Sequence, residues 1–403
     1  NPDLKWETTV TRNLGIDYGF WNNRISGSID LYWNTTKDLL MKTEIPSTTG
    51  YNYQYRNFGQ TSNKGVEFSM SAVLLDTKKY GLNFTFNLAY NRNKIDKLTT
   101  DTPWQSSNWA GSTISKYEDF RVEEGGRLGE VWGFKTNGYY TVYDPVSNPN
   151  GDLIWGDGEW TLRDGLKDNS QTITGGAYSP GGLKLQCDEN GNPIKQRLGN
   201  TVAPLTGGFG FNGNVGNFDF NLFFNYSLGN VIINGTKLAS SFRSGSRTGY
   251  NLNKDFALGN RYTWIDPETG LNLASSSSAV LETYGSMTEA GLRLNQLNRN
   301  ASIFHPAAVT TMQLIDYAVE DASFLRINNI TVGYTLPKTW VKKAFLQNVR
   351  IYLTGYNLFC WTNYTGADPE VDTSSKRNAL TPGVDYAAYP KSRSFVGGIN
   401  ITF

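Results

Sequence analysis

Four carboxylates lie close together in the segment GDLIWGDGEWTLRD, and they are the residues of this chain best suited to bind a metal ion. They are Asp152, Asp157, Glu159 and Asp164. Carboxylate oxygens are the ligands that Ca²⁺ prefers, and the glycines between them allow tight turns. A calcium cage needs about 6 to 8 oxygens, however, and such a cage is hard to assemble from so few carboxylates. The segment therefore predicts either a Ca²⁺ site or, as the favoured hypothesis, a solvated loop.

Four tryptophans belong to the same long stretch of sequence and are candidates for binding a solute. They are Trp104, Trp109, Trp155 and Trp160. Exposed indole rings stack on sugar rings or pack on a partner protein. The alternative is that these rings only fold a long loop onto itself, and the sequence leaves both possibilities open.

Two further patterns could suggest enzymatic chemistry. Gly208, Gly210 and Gly213 form G-x-G-x-x-G, but a dinucleotide site needs a strand before this motif and a helix after it. Here Pro204 precedes the motif and a strand-like alternation runs through it, so no nucleotide site is expected.

The single histidine, His305, has no Asp or Ser partner near it in sequence, which favours a surface or packing role over a general base. No catalytic residue, no enzymatic activity and no resident cofactor is therefore expected.

An alternation of apolar and polar residues, which is typical of strands with one apolar face, recurs along the whole chain. At the end of the chain, SFVGGINITF places Phe395, Ile399, Ile401 and Phe403 on one face and Asn400 on the other. Eight earlier segments repeat the pattern, and their apolar positions begin at Trp6, Ile25, Val66, Leu82, Phe209, Phe218, Ile330 and Val349. The sequence therefore predicts nine long strands.

The connections between these strands alternate in length. Short links lie near residues 21–24, 76–80, 215–217 and 337–347, and long ones cover residues 37–63, 96–204, 229–322 and 361–393. Outer-membrane barrels have short periplasmic turns and long extracellular loops. Aromatic residues near the strand ends also suit bilayer interfaces. The pattern predicts an all-β fold, a transmembrane antiparallel β-barrel, and disfavours a secreted glycan-binding β-protein.

The number of strands, the net charge and the cysteines add further expectations. Nine strands is an odd number, and single-chain bacterial barrels have an even number, so residues 1–403 are expected to form the carboxyl-terminal part of a larger barrel. The net charge of +1 gives no reason to expect a nucleic-acid partner. Cys187 and Cys360 lie far apart in sequence, and whether they pair stays open.

Several longer motifs resemble one known family. They are NPDLKWET at Asn1–Thr8, TKDLL at Thr36–Leu40, STTGY at Ser47–Tyr51, NKGVEFS at Asn63–Ser69, EDASFLRINNITVGYTLPK at Glu320–Lys338, GYNLFCWTNYTGADPEV at Gly355–Val371 and YPKSRSFVGGINITF from Tyr389. In this order they are similar to the carboxyl-terminal half of the SusC/RagA family of TonB-dependent outer-membrane transporters. The resemblance spans nearly the whole chain.

The resemblance implies a barrel of about 22 strands with an amino-terminal plug, of which this chain would hold the last nine strands and no plug. It implies import of large nutrients, oligosaccharides or peptides, driven through TonB, with a SusD-like surface lipoprotein as a lid. The glycines at 208–213 would then leave lumenal space beside the plug. A structural or assembly scaffold inside a larger envelope complex is the alternative function. Polar residues such as Asn83, Thr85, Asn87 and Asn91 would line the lumen and suit hydrated solutes without separating glycan from peptide.

Overall fold

A nine-stranded sheet, in which every strand pairs with its neighbours in chain order, dominates the computed structural model of the chain. The structure describes residues 4–44, 48, 50, 53–98, 103–107, 118–243, 251–373 and 380–403. All eight strand pairs of this sheet are antiparallel. The strands are β1 (Thr8–Phe20), β2 (Ile25–Glu44), β3 (Tyr53–Asp76), β4 (Tyr80–Leu98), β5 (Leu205–Val215), β6 (Phe218–Leu228), β7 (Phe324–Thr335), β8 (Asn348–Thr362) and β9 (Ser394–Thr402). The predicted all-β fold with nine long strands is confirmed.

The register of the sheet gathers the predicted apolar positions on one face. A single row across eight strands shows it, because residues paired directly opposite each other share a face. The row is Ile25, Ala72, Phe84, Phe211, Leu222, Ile330, Gly355 and Phe395. Large side chains on this face stay exposed, such as Ile16 at 62% and Ile399 at 62%. A broad, continuous apolar surface of this kind suits a lipid environment.

The opposite face of the sheet is polar. It carries Asn, Ser and Thr side chains from neighbouring strands at paired positions, including Ser28 with Ser69, Asn83 with Asn212 and Thr331 with Thr354. The alternation that separates the two faces is therefore kept in register across the sheet, since a slip by one residue would exchange them.

The connection between β2 and β3 is shorter than the predicted range of residues 37–63, so that prediction is wrong. Strands β2 and β3 continue to pair as far as Glu44 with Tyr53, with irregularities near Leu39. The expected boundary followed the regular apolar alternation of β2, which stops at Trp33. Backbone hydrogen bonds continue the ladder beyond that point, because strand pairing does not require apolar side chains.

The other long connections fold into a cap of short elements. Its short strands are Trp104–Gln105, Phe120–Arg121, Glu130–Phe134, Thr136–Tyr139, Leu153–Gly156, Glu159–Leu162, Leu183–Leu185, Lys195–Asn200, Val231–Asn234, Val319–Asp321 and Val384–Asp385. Its α-helices are Gln171–Thr174, Gly235–Ala239, Ser278–Tyr284 and Met287–Leu297, and its 3₁₀ turns are Lys254–Phe256, Pro306–Ala308 and Asp316–Ala318. A further helical pair, Lys338–Val341 and Lys342–Ala344, lies in the short link between β7 and β8. Among the described residues, no helix combines the length and apolar character needed to cross a membrane.

One hydrophobic core joins three of these connections. Phe120 and Phe134 come from the connection between β4 and β5, Ile233 and Phe304 from that between β6 and β7, and Val384 from that between β8 and β9. All five side chains are almost completely buried. The long connections therefore support one another as a packed cap.

Candidate functional site

The polar face of the sheet is held together by hydrogen bonds between uncharged side chains. The Asn83 amide donates to Asn212 Oδ1 at 3.1 Å. The hydroxyl groups of Thr331 and Thr354 lie 2.9 Å apart. Amide and hydroxyl groups can exchange these bonds for bonds to water or to a polar solute, so the face is suited to hydrated molecules rather than to one charged ligand.

One ion pair crosses three strands on the same face. The Arg350 guanidinium of β8 reaches Asp219 of β6, with Nε 2.9 Å from Oδ1 and Nη2 2.5 Å from Oδ2. It passes above Gly333 of the intervening β7, where an added Cβ would lie 2.5 Å from Arg350 Nη2. Glycine at 333 therefore gives the guanidinium its path between the strands.

The glycines of the G-x-G-x-x-G motif do not open empty space. Gly208 and Gly210 lie under the ring of Phe223, where an added Cβ would lie 2.6 Å and 2.9 Å from ring carbons. By register, Gly213 lies on the apolar face with Phe220 and Leu82. The expectation of free lumenal space at all three glycines is wrong, because the Phe223 side chain fills the space over two of them and the third faces the other way.

Of the four candidate tryptophans, Trp160 is the most buried that the structure describes. It is 4% exposed, belongs to a second core of the cap, and donates from its indole N–H to the carbonyl of Ala274 at 3.2 Å. Trp155 packs edge-on against it at a ring separation of 5.1 Å. A solute cannot reach the Trp160 ring in this conformation, which favours the packing alternative for this pair.

Of the other two candidate tryptophans, the structure describes Trp104. The Trp104 ring packs edge-on against Trp132 at 5.8 Å and lies under the Arg121 guanidinium at 5.2 Å. Trp109 lies outside the described residues. A solute-binding role for Trp104 and Trp109 stays a prediction.

The four candidate calcium ligands are spread along a hairpin. Asp157 lies in its turn with a φ of 52°, next to Glu159, whereas Asp152 and Asp164 lie at the other end of the two strands. A four-residue strand is about 13 Å long, which is too far for both ends to share one ion. Asp152 instead pairs with Lys184 at 2.5 Å. Among the residues that the structure describes, no group of three or more His, Cys, Asp or Glu side chains is arranged for a metal, so the Ca²⁺ hypothesis carries no proposal.

His305 packs inside the cap. Its ring stacks on Trp264 with centroids 3.7 Å apart, and its Nδ1 accepts a hydrogen bond from the Ala307 amide at 3.2 Å. Burial, together with Arg261 and Arg243, lowers the pKa of His305 to about 3. The expected packing role agrees with this geometry.

This environment predicts a pH dependence of the cap. Since the unfolded pKa is about 6.5, the favourable contribution of neutral His305 is complete above that pH and is lost as the pH falls towards 3, by up to about 1.4 kcal/mol per pH unit. We expect protease cleavage of the cap to accelerate between pH 7 and pH 4.5, measured on the full-length protein. His305→Phe keeps an aromatic ring on Trp264 and should flatten this dependence. An equal pH slope in the variant would contradict the assignment.

A buried ionic cluster joins the cap to the sheet, and it was not predicted. Arg326 of β7 is 4% exposed, and its Nη2 lies 2.6 Å from Asp368 Oδ1 while its Nε lies 2.9 Å from Glu370 Oε2. Lys391 Nζ lies 2.7 Å from the same Glu370 oxygen. Asp368 also accepts hydrogen bonds from the backbone amides of Glu370 and Lys391. The cluster thus connects β7 to both ends of the connection between β8 and β9.

Glu320 forms a second junction nearby. It accepts hydrogen bonds from the Thr365 amide at 2.7 Å and hydroxyl at 2.8 Å, and from Asn234 at 3.1 Å. Lys237 pairs with it at 3.2 Å. The segments EDASFLR, TGADPEV and YPKSR, which carry the family resemblance, therefore meet in space, and their charged residues hold the cap in place.

The cap contains a cavity away from the sheet. It has a volume of about 800 Å³ and lies beside the helix Met287–Leu297. Tyr262, Tyr284, Asn295 and Arg299 are among its lining residues. The Tyr262 hydroxyl is fully buried and has no hydrogen-bond partner. The lining offers aromatic rings and amide groups to a polar solute.

The sheet, its two faces and its cap define a class of protein: a segment of a transmembrane β-barrel with one elaborated end. Residues 1–179 match the family model described as TonB dependent receptor-like, beta-barrel. Over its whole length the chain is 28% identical to TonB-dependent receptor P3 of Formosa agariphila and 28% identical to TonB-dependent receptor SusC of Bacteroides thetaiotaomicron. It covers 35% and 32% of these two proteins, so it spans about a third of the length of the curated relatives it matches.

Solved structures agree on the fold. The chain superimposes along its whole length on part of the RagAB peptide importer in its closed-closed state, with a TM-score of 0.66, 23% identity and 36% of that chain covered. The open-open state of the same importer gives a TM-score of 0.65. The chain is therefore similar to the TonB-dependent receptor β-barrels, SusC among them, and shares the fold of the RagAB barrel. These are outer-membrane proteins and not enzymes.

Proposed function

We propose that this chain forms part of the wall and the outer cap of a SusC-like importer that carries large polar nutrients across the outer membrane. The observation that carries this proposal is the register of the nine strands, which separates an apolar face from a face of amides and hydroxyls. The polar face would line the lumen, and the long connections that build the cap would be extracellular. Solute would pass along the polar face.

The names of the relatives support a source of energy and a class of solute for this import. Names of relatives include TonB-dependent receptor and peptide importer, which supports energy from TonB and a peptide as the solute. An oligosaccharide is the other solute class that we test. A SusD-like lipoprotein would cover the cap from outside. No covalent step is required of any residue in the chain, since transport needs only binding, release and movement of the plug.

Substitutions on the two faces of β6 test the proposal. Asn221 lies on the polar face and Leu222 on the apolar face, directly beside each other in sequence. In the full-length protein, Asn221→Trp should narrow the lumen and reduce uptake several-fold, whereas Leu222→Trp adds an aromatic side chain to a lipid-facing position and should leave uptake unchanged. Uptake is measured in cells with labelled peptides and oligosaccharides, with and without a protonophore.

The outcomes separate import from a scaffold. Energy-dependent uptake of one solute class, lowered only by Asn221→Trp, supports the importer. A folded, membrane-inserted protein that takes up neither class under any condition would overturn it and favour the scaffold alternative. Co-purification of a surface lipoprotein would support the lid, and its absence from a gently extracted complex would remove the lid from the proposal.

A further inference from the structure

A group of cations lies on the lipid-facing side of the sheet, beyond the end of its apolar band. Across β1 to β4, the last apolar row nearest the long connections is Leu14, Leu31, Val66 and Tyr90. The next row on the same face, two residues further along each strand, is Arg12, Trp33, Lys64 and Arg92. Two residues of strand span about 7 Å, so these cations lie just outside the apolar band. That is the depth at which lipid head groups meet a barrel.

Two of these cations, Lys64 and Arg92, line a cavity. It has a volume of about 470 Å³, and its lining includes Lys64, Arg92, Lys94 and Arg127. We call it the cationic cavity. Lys94 belongs to the following row of the same face, opposite Ser62. Arg127 is supplied by the connection after β4, which is fixed beside that strand by the bond from the Ile95 amide to the Gly126 carbonyl at 2.9 Å. Strand and connection thus each contribute cations to one space.

The lining of this cavity, as the described residues form it, holds four cations and one carboxylate. Lys64 lies directly opposite Arg92, and like charges at such paired positions are destabilising. The Arg127 Nε is buried without a hydrogen-bond partner. The carboxylate in the lining, Asp96, already accepts hydrogen bonds from Ser62 at 3.1 Å and Gln60 at 3.3 Å. An anion in the cavity would pair with the cations and give Arg127 an acceptor.

We propose that the cationic cavity binds the phosphate group of a lipid in the outer-membrane leaflet that surrounds the long-connection end of the barrel. The location of the cavity favours a lipid as the ligand, because the cavity lies on the face that continues the apolar band. Its positive charge favours a phosphate group, because arginine and lysine pair strongly with phosphate oxygens. The ligand class is therefore a phosphorylated lipid, with its acyl chains along Leu14, Leu31, Val66 and Tyr90.

Binding of lipid A to the full-length protein in detergent tests this inference. Native mass spectrometry would count the bound diphosphorylated lipid A at a series of lipid concentrations. Each basic residue near a lipid surface contributes enough that removing two should weaken binding about tenfold or more. The test variant is Arg92→Gln with Arg127→Gln. The matched control is Lys78→Gln with Lys79→Gln, which removes the same charge from an exposed short link between β3 and β4.

The expected result is weaker binding in the test variant only, and weak binding of dephosphorylated lipid to all three proteins. Equal binding by the test variant and the unaltered protein, or an equal loss in the control, would overturn the inference. Inorganic phosphate that competes at micromolar concentration would assign the cavity to a free anion instead. If the test variant does not fold, the exposed pair Lys64→Gln and Lys94→Gln is measured in the same way. The inference depends on the membrane-facing surface and not on import, so uptake assays do not decide it.

Discussion

Replacing Asp368 by alanine is expected to release the connection between β8 and β9 from the sheet. The substitution leaves Arg326 buried, with Glu370 as its remaining partner. Removing one member of a buried ion pair costs about 3–5 kcal/mol, because the remaining charge loses its compensation. Amide hydrogen exchange in residues 363–373 and 380–393 of the full-length protein should therefore accelerate about a hundredfold or more.

Two further variants make this prediction specific. Lys391→Ala removes a cation that is 45% exposed and should cost less than about 1 kcal/mol. The double variant Arg326→Met with Asp368→Leu replaces the pair by apolar side chains and should recover only part of the loss, because the backbone amides of Glu370 and Lys391 lose their acceptor. Unchanged exchange in Asp368→Ala, or an equal effect of Lys391→Ala, would show that the cluster does not hold the cap.

Gly207→Ala is expected to disturb the centre of the sheet. The Tyr226 ring of β6 crosses over Gly207 of β5, and its hydroxyl donates to the Asn87 carbonyl of β4 at 2.9 Å. A Cβ at residue 207 would overlap both the Tyr226 hydroxyl and the Asn87 carbonyl oxygen. Since the obstacle includes backbone, we expect a loss of about 2–4 kcal/mol from overpacking and the broken hydrogen bond.

The chain offers matched controls for this substitution. At Gly397 of β9, an added Cβ would have its nearest neighbour at 4.0 Å, so Gly397→Ala should be tolerated. Tyr226→Phe removes only the hydroxyl and should cost about 1 kcal/mol. The urea midpoint of the purified full-length barrel, with heat-dependent gel mobility as a check of folding, measures all three. Similar midpoints for Gly207→Ala and Gly397→Ala would contradict the account. Tyr18 crosses Gly27 in the same way and reaches the Ser69 carbonyl at 3.0 Å.

The sheet was predictable from sequence because its physical constraint is periodic. A strand with one face in lipid must alternate, and the positions from Val66 to Ala72 or from Phe218 to Tyr226 follow that rule closely. The alternation is required only where a strand faces lipid. The ends of β2 and β3, residues 37–44 and 53–63, continue to pair through their backbones, and no apolar alternation marks them.

The cap was less predictable, since its contacts join residues far apart in the chain. Asp368 and Arg326 are 42 residues apart, and each looks like an ordinary surface charge in sequence. The signal that could have found them is their place in the motifs FLRINN and TGADPEV, which carry the family resemblance. For Trp160 the sequence suggested a role that the structure does not favour. A tryptophan in a long connection suggested an exposed binding ring, but the connections are long enough to form a core of their own, which contains Trp160.

The central claim is that the sheet separates lipid from an aqueous lumen, and electron paramagnetic resonance on single spin labels tests it most directly. Cys187 and Cys360 are first replaced by serine in the full-length protein, and labels are placed at residues 220, 221 and 222 in lipid bilayers. We predict that oxygen collides more often with labels at 220 and 222, and that a polar nickel chelate collides more often with the label at 221. Equal accessibility at all three positions, or the opposite alternation, would contradict the account.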